Sequence, residues 1–488
     1  MKRLLLVCGG AIALLFVILI TRTLMLGGGS EDYTARTQYD GHNGQEIAQR
    51  LGQSIQYETI SWGDEREPDA EAFQGFAEFL KNAYPNAHRL LQRETVNDHS
   101  LLYRWPGSDS SLKPVGFIAH IDVVPIETGT EDQWTYAPFS GRVEGGAVWG
   151  RGALDNKGQI ITIMEAVEKL AAENFQPTRD IYLMFGHDEE VGGPNGAAAI
   201  SDLLKSRGVT FEWTLDEGSG LVSGVIPGVS KPVALIATAE KGSTTLRLTA
   251  TAPGGHSSTP LPDTAVSLVS RAIVNISDNP HPLKIDKNTV SFIHAIAPEL
   301  PFMQRMVMAN LWLTGPFVKS QLEKDRVTAA SLHTTTAPTI INGGTKLNIL
   351  PQQASAIVNY RIHPRDSVED VRKRAEQSIN DPNITIETIG ATEPSPRATT
   401  KSEGYRAIAQ VTGEIFGPIP TAPFLTLQGT DTKHYTGIAN ANYRFTPFIY
   451  ESDDLKRIHG TDEYAKIENL ARAAAWYEAL IRKSAGTP

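Results

Sequence analysis

Cysteine is all but missing: Cys8 is the single one in 488 residues. No intramolecular disulfide can form, and a cysteine-rich zinc ribbon is excluded. Cysteine usage therefore leaves the redox compartment open. A basic excess is missing as well. Lys and Arg number 45 against 55 Asp and Glu, a net charge of −10. Nothing here neutralises a phosphate backbone, so no nucleic-acid partner is expected. The chain shows no internal repeat and no low-complexity block beyond one short glycine run. Apolar residues make up 41% and charged residues 20%. That balance is globular and excludes collagen-like, coiled-coil and wholly disordered chains. The length suits two large domains or three of about 150 residues each.

Lys2 and Arg3 precede an unbroken apolar run from Leu4 to Ile20. Its length meets the lower limit for crossing a bilayer, and Leu24 to Leu26 extend it past Arg22. The positive flank predicts a cytoplasmic N-terminus and an exported body, periplasmic, extracellular or lumenal. Thr21-Arg22-Thr23 makes a poor cleavage site, which favours an uncleaved anchor over a cleaved, secreted form. Gly27-Gly28-Gly29-Ser30 reads as a linker. Residues 1–30 thus form an anchor and linker.

Three short apolar runs end in acidic or imidazole groups. Val115 to Ile118 leads into His120 and Asp122. Ile181 to Phe185 leads into His187, Asp188, Glu189 and Glu190. Phe211 to Leu215 leads into Asp216 and Glu217. Continuous apolar runs of this length suit strands buried on both faces. Helix-like stretches at Gln159–Ala172 and Ala197–Ser206 alternate with them, which predicts an α/β fold with a mainly parallel sheet. Such sheets bind ligands beyond their strands' carboxyl ends, where these polar groups cluster. A second pattern follows. Strands near Thr244–Ala250, Thr336–Ile341, Ala354–Ile362 and Ile384–Ile389 interleave with helices at Asp263–Ile276 and Ser367–Ile379. That order is β-α-β-β-α-β, a ferredoxin-like unit. The expected organisation is a first domain over 41–239 and 393–488, interrupted by an inserted domain over 240–392. Inside the insertion, His281 to His333 is unusually apolar, with Phe302, Met303, Met306, Met308, Leu311, Trp312 and Leu313. It reads as a helical excursion, or as a wall for an apolar substrate or a membrane-facing patch. The stretch Tyr464–Arg482 predicts an amphipathic helix that covers the sheet.

The candidate metal ligands are His120, Asp122, Asp155, Glu189, Glu190, Asp216 and a late His459. Imidazole and carboxylate donors without thiolate suit Zn²⁺, with Mn²⁺ or Co²⁺ as substitutes. No short-range H-E-x-x-H spacing is present, so spacing alone does not select among them. Asp122 lies two residues past His120, on the same side of a strand, where it can hold the imidazole ring. Glu189 and Glu190 are adjacent and diverge in extended chain, so one can hold metal while its neighbour stays free.

Five strings in order carry a resemblance. They are His120-Ile121-Asp122-Val123-Val124-Pro125, Gly150-Arg151-Gly152-Ala153-Leu154-Asp155-Asn156-Lys157-Gly158, Asp188-Glu189-Glu190, Leu215-Asp216-Glu217-Gly218 and His459-Gly460-Thr461-Asp462-Glu463. Together they resemble the zinc-dependent carboxypeptidase and aminoacylase family over about residues 45–485. Gly186-His187-Asp188-Glu189-Glu190 and Arg361-Ile362-His363-Pro364 resemble its carboxypeptidase S and N-fatty-acyl amino acid synthase/hydrolase branch. The resemblance implies two Zn²⁺ per subunit. His120 and Asp216 would hold one, Glu190 and His459 the other, and Asp155 would bridge them. It also implies a cis Asp155–Asn156 peptide, Asp122 as the partner of His120, and Glu189 as general base. Gly254-Gly255-His256 resembles the lid motif, which makes His256 the oxyanion donor. Asn348, Arg361 and Thr430 match substrate-contacting positions, with Arg361 suited to grip a free carboxylate. Lys433 stands where many members carry arginine. His187, His363 and His434 receive no ligand role. The implied reaction removes a C-terminal amino acid from a short peptide or deacylates an N-acyl amino acid. Alternatives are an N-acyl amino acid synthase/hydrolase acting on long acyl chains and a non-catalytic peptide-binding homologue. Both monomers and homodimers are consistent with the resemblance.

Overall fold

The apolar runs become the centre of one eight-stranded sheet. The computed structural model describes residues 2–26, 33–36, 41–63 and 66–486; the expected linker Gly27–Ser30 lies outside the described residues. The strands lie in the order Gln92–Val96, Ser100–Trp105, Ile181–Gly186, Val115–His120, Trp213–Val222, Asn442–Tyr450, Val233–Glu240 and Thr421–Thr426. The third to the sixth of these run parallel. Val115–His120 and Ile181–Gly186 are buried at every position, which explains their continuous apolar sequences. Alternate residues feed two cores. Phe117 and Ala119 join the one shared with helices Gly44–Ile55, Lys157–Ala172 and Ile467–Ala485. Ile118 joins the one beneath helix Ala197–Ser206. The fold class is therefore α/β, with a mainly parallel sheet flanked by helices.

A second sheet is antiparallel throughout, in the order Thr335–Gly343, Gln353–Ile362, Gly242–Thr251 and Ile384–Thr392. Helices Ala265–Asp278 and Val368–Ile379 close its own apolar core. Each begins with a capping box, Thr264 with Ser267 and Ser367 with Asp370, which satisfies amides that the first turn leaves open. In chain order this is the ferredoxin-like α+β unit. Between its first helix and second strand the chain makes an excursion. Helices Lys287–Ile296, Phe302–Ala309, Leu311–Leu322 and Arg326–Ala330 form it.

Two boundaries differ from the sequence pattern. Residues Trp213–Val222 form one strand that carries on through the polar stretch after Leu215, because Asn442–Tyr450 pairs alongside. Tyr464–Lys466 is not helical. It pairs with Ala147–Trp149, and the last helix starts at Ile467.

That last helix is fastened by a charge cluster. The Glu478 carboxylate lies 2.9 Å from His42 Nε2 and 2.7 Å from Lys169 Nζ, and accepts from Arg482 Nε at 2.9 Å. Burial alone would raise Glu478. The bonds from His42, Lys169 and Arg482 outweigh it and hold the carboxyl at about 2. A folded value below the unfolded one means stabilisation present at neutral pH and lost as pH falls from about 4.5 towards 2. Glu478→Gln is expected to lower the thermal midpoint at pH 7. Its deficit relative to the parent protein should shrink as the buffer approaches about pH 3. Thermal scans across pH check this, and a deficit unchanged with acidity would remove Glu478 as its source.

Candidate metal centre

The site assembles at the carboxyl ends of the parallel strands. His120 is the last residue of Val115–His120, and Glu189 and Glu190 open a 3-10 turn just past Ile181–Gly186. Asp155 lies just before helix Lys157–Ala172, and the Asp155–Asn156 peptide is cis. His459 comes from the far end of the chain. It holds a left-handed backbone with φ 61°, an uncommon state for a residue with a side chain.

Asp155 joins the two histidines. Its Oδ1 lies 2.9 Å from His120 Nε2 and its Oδ2 lies 3.1 Å from His459 Nε2. Glu190 Oε2 is also 3.1 Å from His459 Nε2. Glu217 Oε1 is 3.6 Å from His120 Nε2. Two groups of side chains place one donor atom each within 4.8 Å of one another: His120, Asp155 and Glu190, and His120, Glu189 and Glu217.

Asp216 is the exception to the expected ligand set. It is 1% exposed, and its oxygens accept from Thr432 N at 2.8 Å, Thr432 Oγ1 at 2.6 Å and the Glu217 amide at 2.9 Å. Glu217 takes its place beside His120. Neighbours in a strand point to opposite faces, so only one of the pair can reach the imidazole. The short helix Thr432–Tyr435 occupies the other side. The sequence presented Glu217 in the same string; strand alternation allows only one of the two to face His120 but does not say which.

Asp122 does more than hold a ring. His120 Nδ1 sits 3.0 Å from the Asp122 backbone oxygen and 3.4 Å from its carboxylate. That carboxylate accepts from the amides of Glu189 and Glu190, each at 3.1 Å, and from Ser61 Oγ at 2.7 Å. One side chain thus positions both His120 and the turn that aims the two glutamates. Glu463 plays a similar part and was not singled out in the sequence. It is fully buried and accepts from Arg151 Nη1 at 2.7 Å, Gly152 N at 3.1 Å, Leu154 N at 2.8 Å and Asp155 N at 3.1 Å.

The second sheet contributes a separate set. His256 and Ile349 are register partners in a two-stranded ribbon, and the Ser257 amide donates to the Asn348 carbonyl at 3.1 Å. His256 Nδ1 accepts from the Ser258 amide at 3.2 Å, which leaves Nε2 available to donate. Among the described residues no hydrogen bond joins this ribbon to the carboxylate cluster. Arg361 is exposed, opposite Ser243 across the sheet. Thr430 does not fit a side-chain contact with substrate. It is buried, and its hydroxyl donates to Glu240 at 2.8 Å. His187 pairs with Ser100 Oγ and His434 with the Gly192 carbonyl, away from the cluster.

The electrostatics favour a cation. Burial, with Asp155 nearby, pushes Glu190 and Glu217 up to about 7. Burial pushes Glu189 well above the carboxylate range despite the opposing His120. The bonds from Asp155 and Glu190 raise His459 to about 10. Four carboxylates, Asp155, Glu189, Glu190 and Glu217, thus crowd round two imidazoles, more negative charge than the pair can balance. Among the described residues, the buried Glu190 Oε1 also has no hydrogen-bond partner. Oxygen and imidazole donors with an unclaimed lone pair fit a divalent ion.

Comparison with known proteins agrees. Residues 116–483 match Peptidase family M20/M25/M40. Over 444 residues the chain is 37% identical to the probable carboxypeptidase S-like 2 of Dictyostelium discoideum, spanning 90% of this chain and 85% of that protein. It is 36% identical over 429 residues to the mouse (Mus musculus) N-fatty-acyl-amino acid synthase/hydrolase PM20D1, spanning 87% of this chain and 84% of that one. Among solved structures, the M20 family metallo-carboxypeptidase Sso-CP2 from Sulfolobus solfataricus shares the fold. Its TM-score is 0.63 at 19% identity, over 90% of this chain and 98% of its own. The chain belongs to the M20/M25/M40 peptidase family.

Proposed function

We propose that this metal-dependent hydrolase of amide bonds works through a pair of Zn²⁺ ions, with Co²⁺ or Mn²⁺ as substitutes. In this reading His120 and Glu217 hold one ion and Glu190 and His459 hold the other. Asp155 would be shared between the two sites, and the division of its carboxylate between two imidazoles is the observation that carries the proposal. When bound, such a pair polarises a scissile carbonyl and acidifies a water at neutral pH. Glu189 then takes the proton of the attacking water and passes it to the leaving amine nitrogen. His256, presented by residues 240–392 acting as a lid, donates to the oxygen of the tetrahedral intermediate. Arg361 grips the free carboxylate of the released amino acid. The catalytic body comprises 41–239 and 393–488. Helix Lys2–Met25, long and apolar enough to cross a bilayer, anchors it on the exported side.

The substrate class is a short peptide with a free C-terminus or an N-acyl amino acid. Matched substrates with free and methyl-esterified carboxylates, carrying acetyl or long acyl groups, test this. Arg361→Ala is expected to raise KM for the free acids by about thirtyfold, corresponding to roughly 2 kcal/mol for a hydrogen-bonded ion. The esters should scarcely respond. A requirement for a free amine, with indifference to the carboxylate, would replace this reading with an aminopeptidase. The exposed apolar excursion and the likeness to a fatty-acyl-amino acid enzyme support the long-chain alternative. A preference for long acyl groups would select it.

A further inference from the structure

The excursion exposes large apolar side chains to an unusual degree. Phe302 is 46%, Met303 63%, Trp312 56%, Leu313 47% and Phe317 58% exposed. Leu313 and Phe317 are one helical turn apart, so they share a face. A groove of about 550 Å³ runs beside them, lined by Ile285, Leu311, Trp312, Pro316 and Lys319 among others.

A second, independent feature meets this surface. Helix Phe302–Ala309 packs against the N-terminal helix Lys2–Met25. Leu15 and Leu19 are half-buried and Thr23 is fully buried; their spacing of four makes them one stripe. The buried Asn310 amide donates to the Leu19 carbonyl at 3.3 Å. From Arg3 onward the helix's other residues are exposed, including Leu14, Phe16, Val17 and Ile20. A helix of 24 residues is about 36 Å long at 1.5 Å per residue, enough to cross a hydrocarbon core of about 30 Å. Leu19 lies six residues from its end, about 9 Å along the axis. The stripe from Leu15 to Thr23 thus lies about 15 to 3 Å from the helix end, within the outer half of such a core, and the apolar face beside it lies at the same level. Tryptophan and a long cationic side chain such as Lys319 suit that zone.

We propose that the 302–317 face is seated in the lipid leaflet from which the N-terminal helix emerges, so that the lid rests on the membrane surface. The proposal rests on the anchor reading above. Its occupant is lipid, and an enzyme seated this way would take amphiphilic substrates directly from the interface.

The test uses the full chain in nanodiscs of phosphatidylcholine and phosphatidylglycerol with doxyl-labelled acyl chains. One fluorophore is placed on native Cys8. In a Cys8→Ser background it is placed instead at Met303→Cys, at Phe317→Cys, or at Leu112→Cys, an exposed position of the catalytic body. Quenching of at least twofold is expected at 8, 303 and 317, with none at 112. Quenching at Cys8 but not at 303 and 317 overturns the proposal and leaves the anchor standing. Quenching at 303 and 317 without Cys8 removes the anchor and overturns the proposal with it, since the face would then meet lipid without the helix it is placed beside. No quenching at any of the three overturns both. Labels shielded from aqueous iodide yet blind to doxyl lipid, in a particle containing two chains, assign the face to a second copy and also overturn the proposal.

Discussion

Replacing Glu189 with Gln is expected to leave the metal content unchanged and lower kcat about a thousandfold, within the range of 10²–10⁴ for a lost general base. The geometry makes the experiment informative. Glu190 is drawn to His459 at 3.1 Å, whereas Glu189 falls in the group with His120 and Glu217. Asp122 pins both backbone amides, which fixes the turn from which the two side chains depart. Glutamine keeps the shape of the side chain but accepts a proton poorly. Elemental analysis beside single-turnover kinetics separates the two possible roles. Retained metal with lost turnover fits the base. Loss of one metal equivalent would make Glu189 a ligand, and full activity would end the assignment.

Glu463→Ala is expected to have the largest effect on the folded state. Four donors lose their acceptor at once: the Arg151 guanidinium and the amides of Gly152, Leu154 and Asp155. Breaking a buried ion pair by removing one partner costs about 3–5 kcal/mol. The loop that carries Asp155 is released, so metal affinity and activity should fall together with the thermal midpoint. Glu463→Gln keeps one acceptor oxygen and should recover part of the stability. A midpoint shift of less than a degree in the Ala variant would show that the loop is held by other means. Titration of zinc into metal-free variants reads the second effect separately.

Much of this was legible in the sequence for a physical reason. Strands buried on both faces must be apolar throughout, so Val115–His120 and Ile181–Gly186 announced themselves, and the polar residues after them marked the sheet's active edge. The order of strands and helices in the inserted unit was readable for a related reason: with one face buried, Gln353–Ile362 alternates, and its apolar residues match its buried positions. The choice between Asp216 and Glu217 was not readable. Both are acidic and adjacent, and the deciding partner, Thr432, lies 216 residues away. Thr430 misled similarly, since its hydroxyl is consumed by Glu240, a partner set by tertiary packing. Glu463 stood inside a quoted motif, yet its role depends on a loop 308 residues earlier in the chain. Local pattern reports which face a side chain takes; it carries no record of what arrives there from elsewhere.

The joining of Asp155 to both His459 and Glu463 has a consequence for biosynthesis. A ribosome must translate nearly the whole message before the donors of the proposed metal centre exist together. Until residues 459–463 emerge, the earlier carboxylates have neither their distant imidazole nor the brace beneath Asp155. The proposed metal centre therefore cannot be complete until translation is nearly finished.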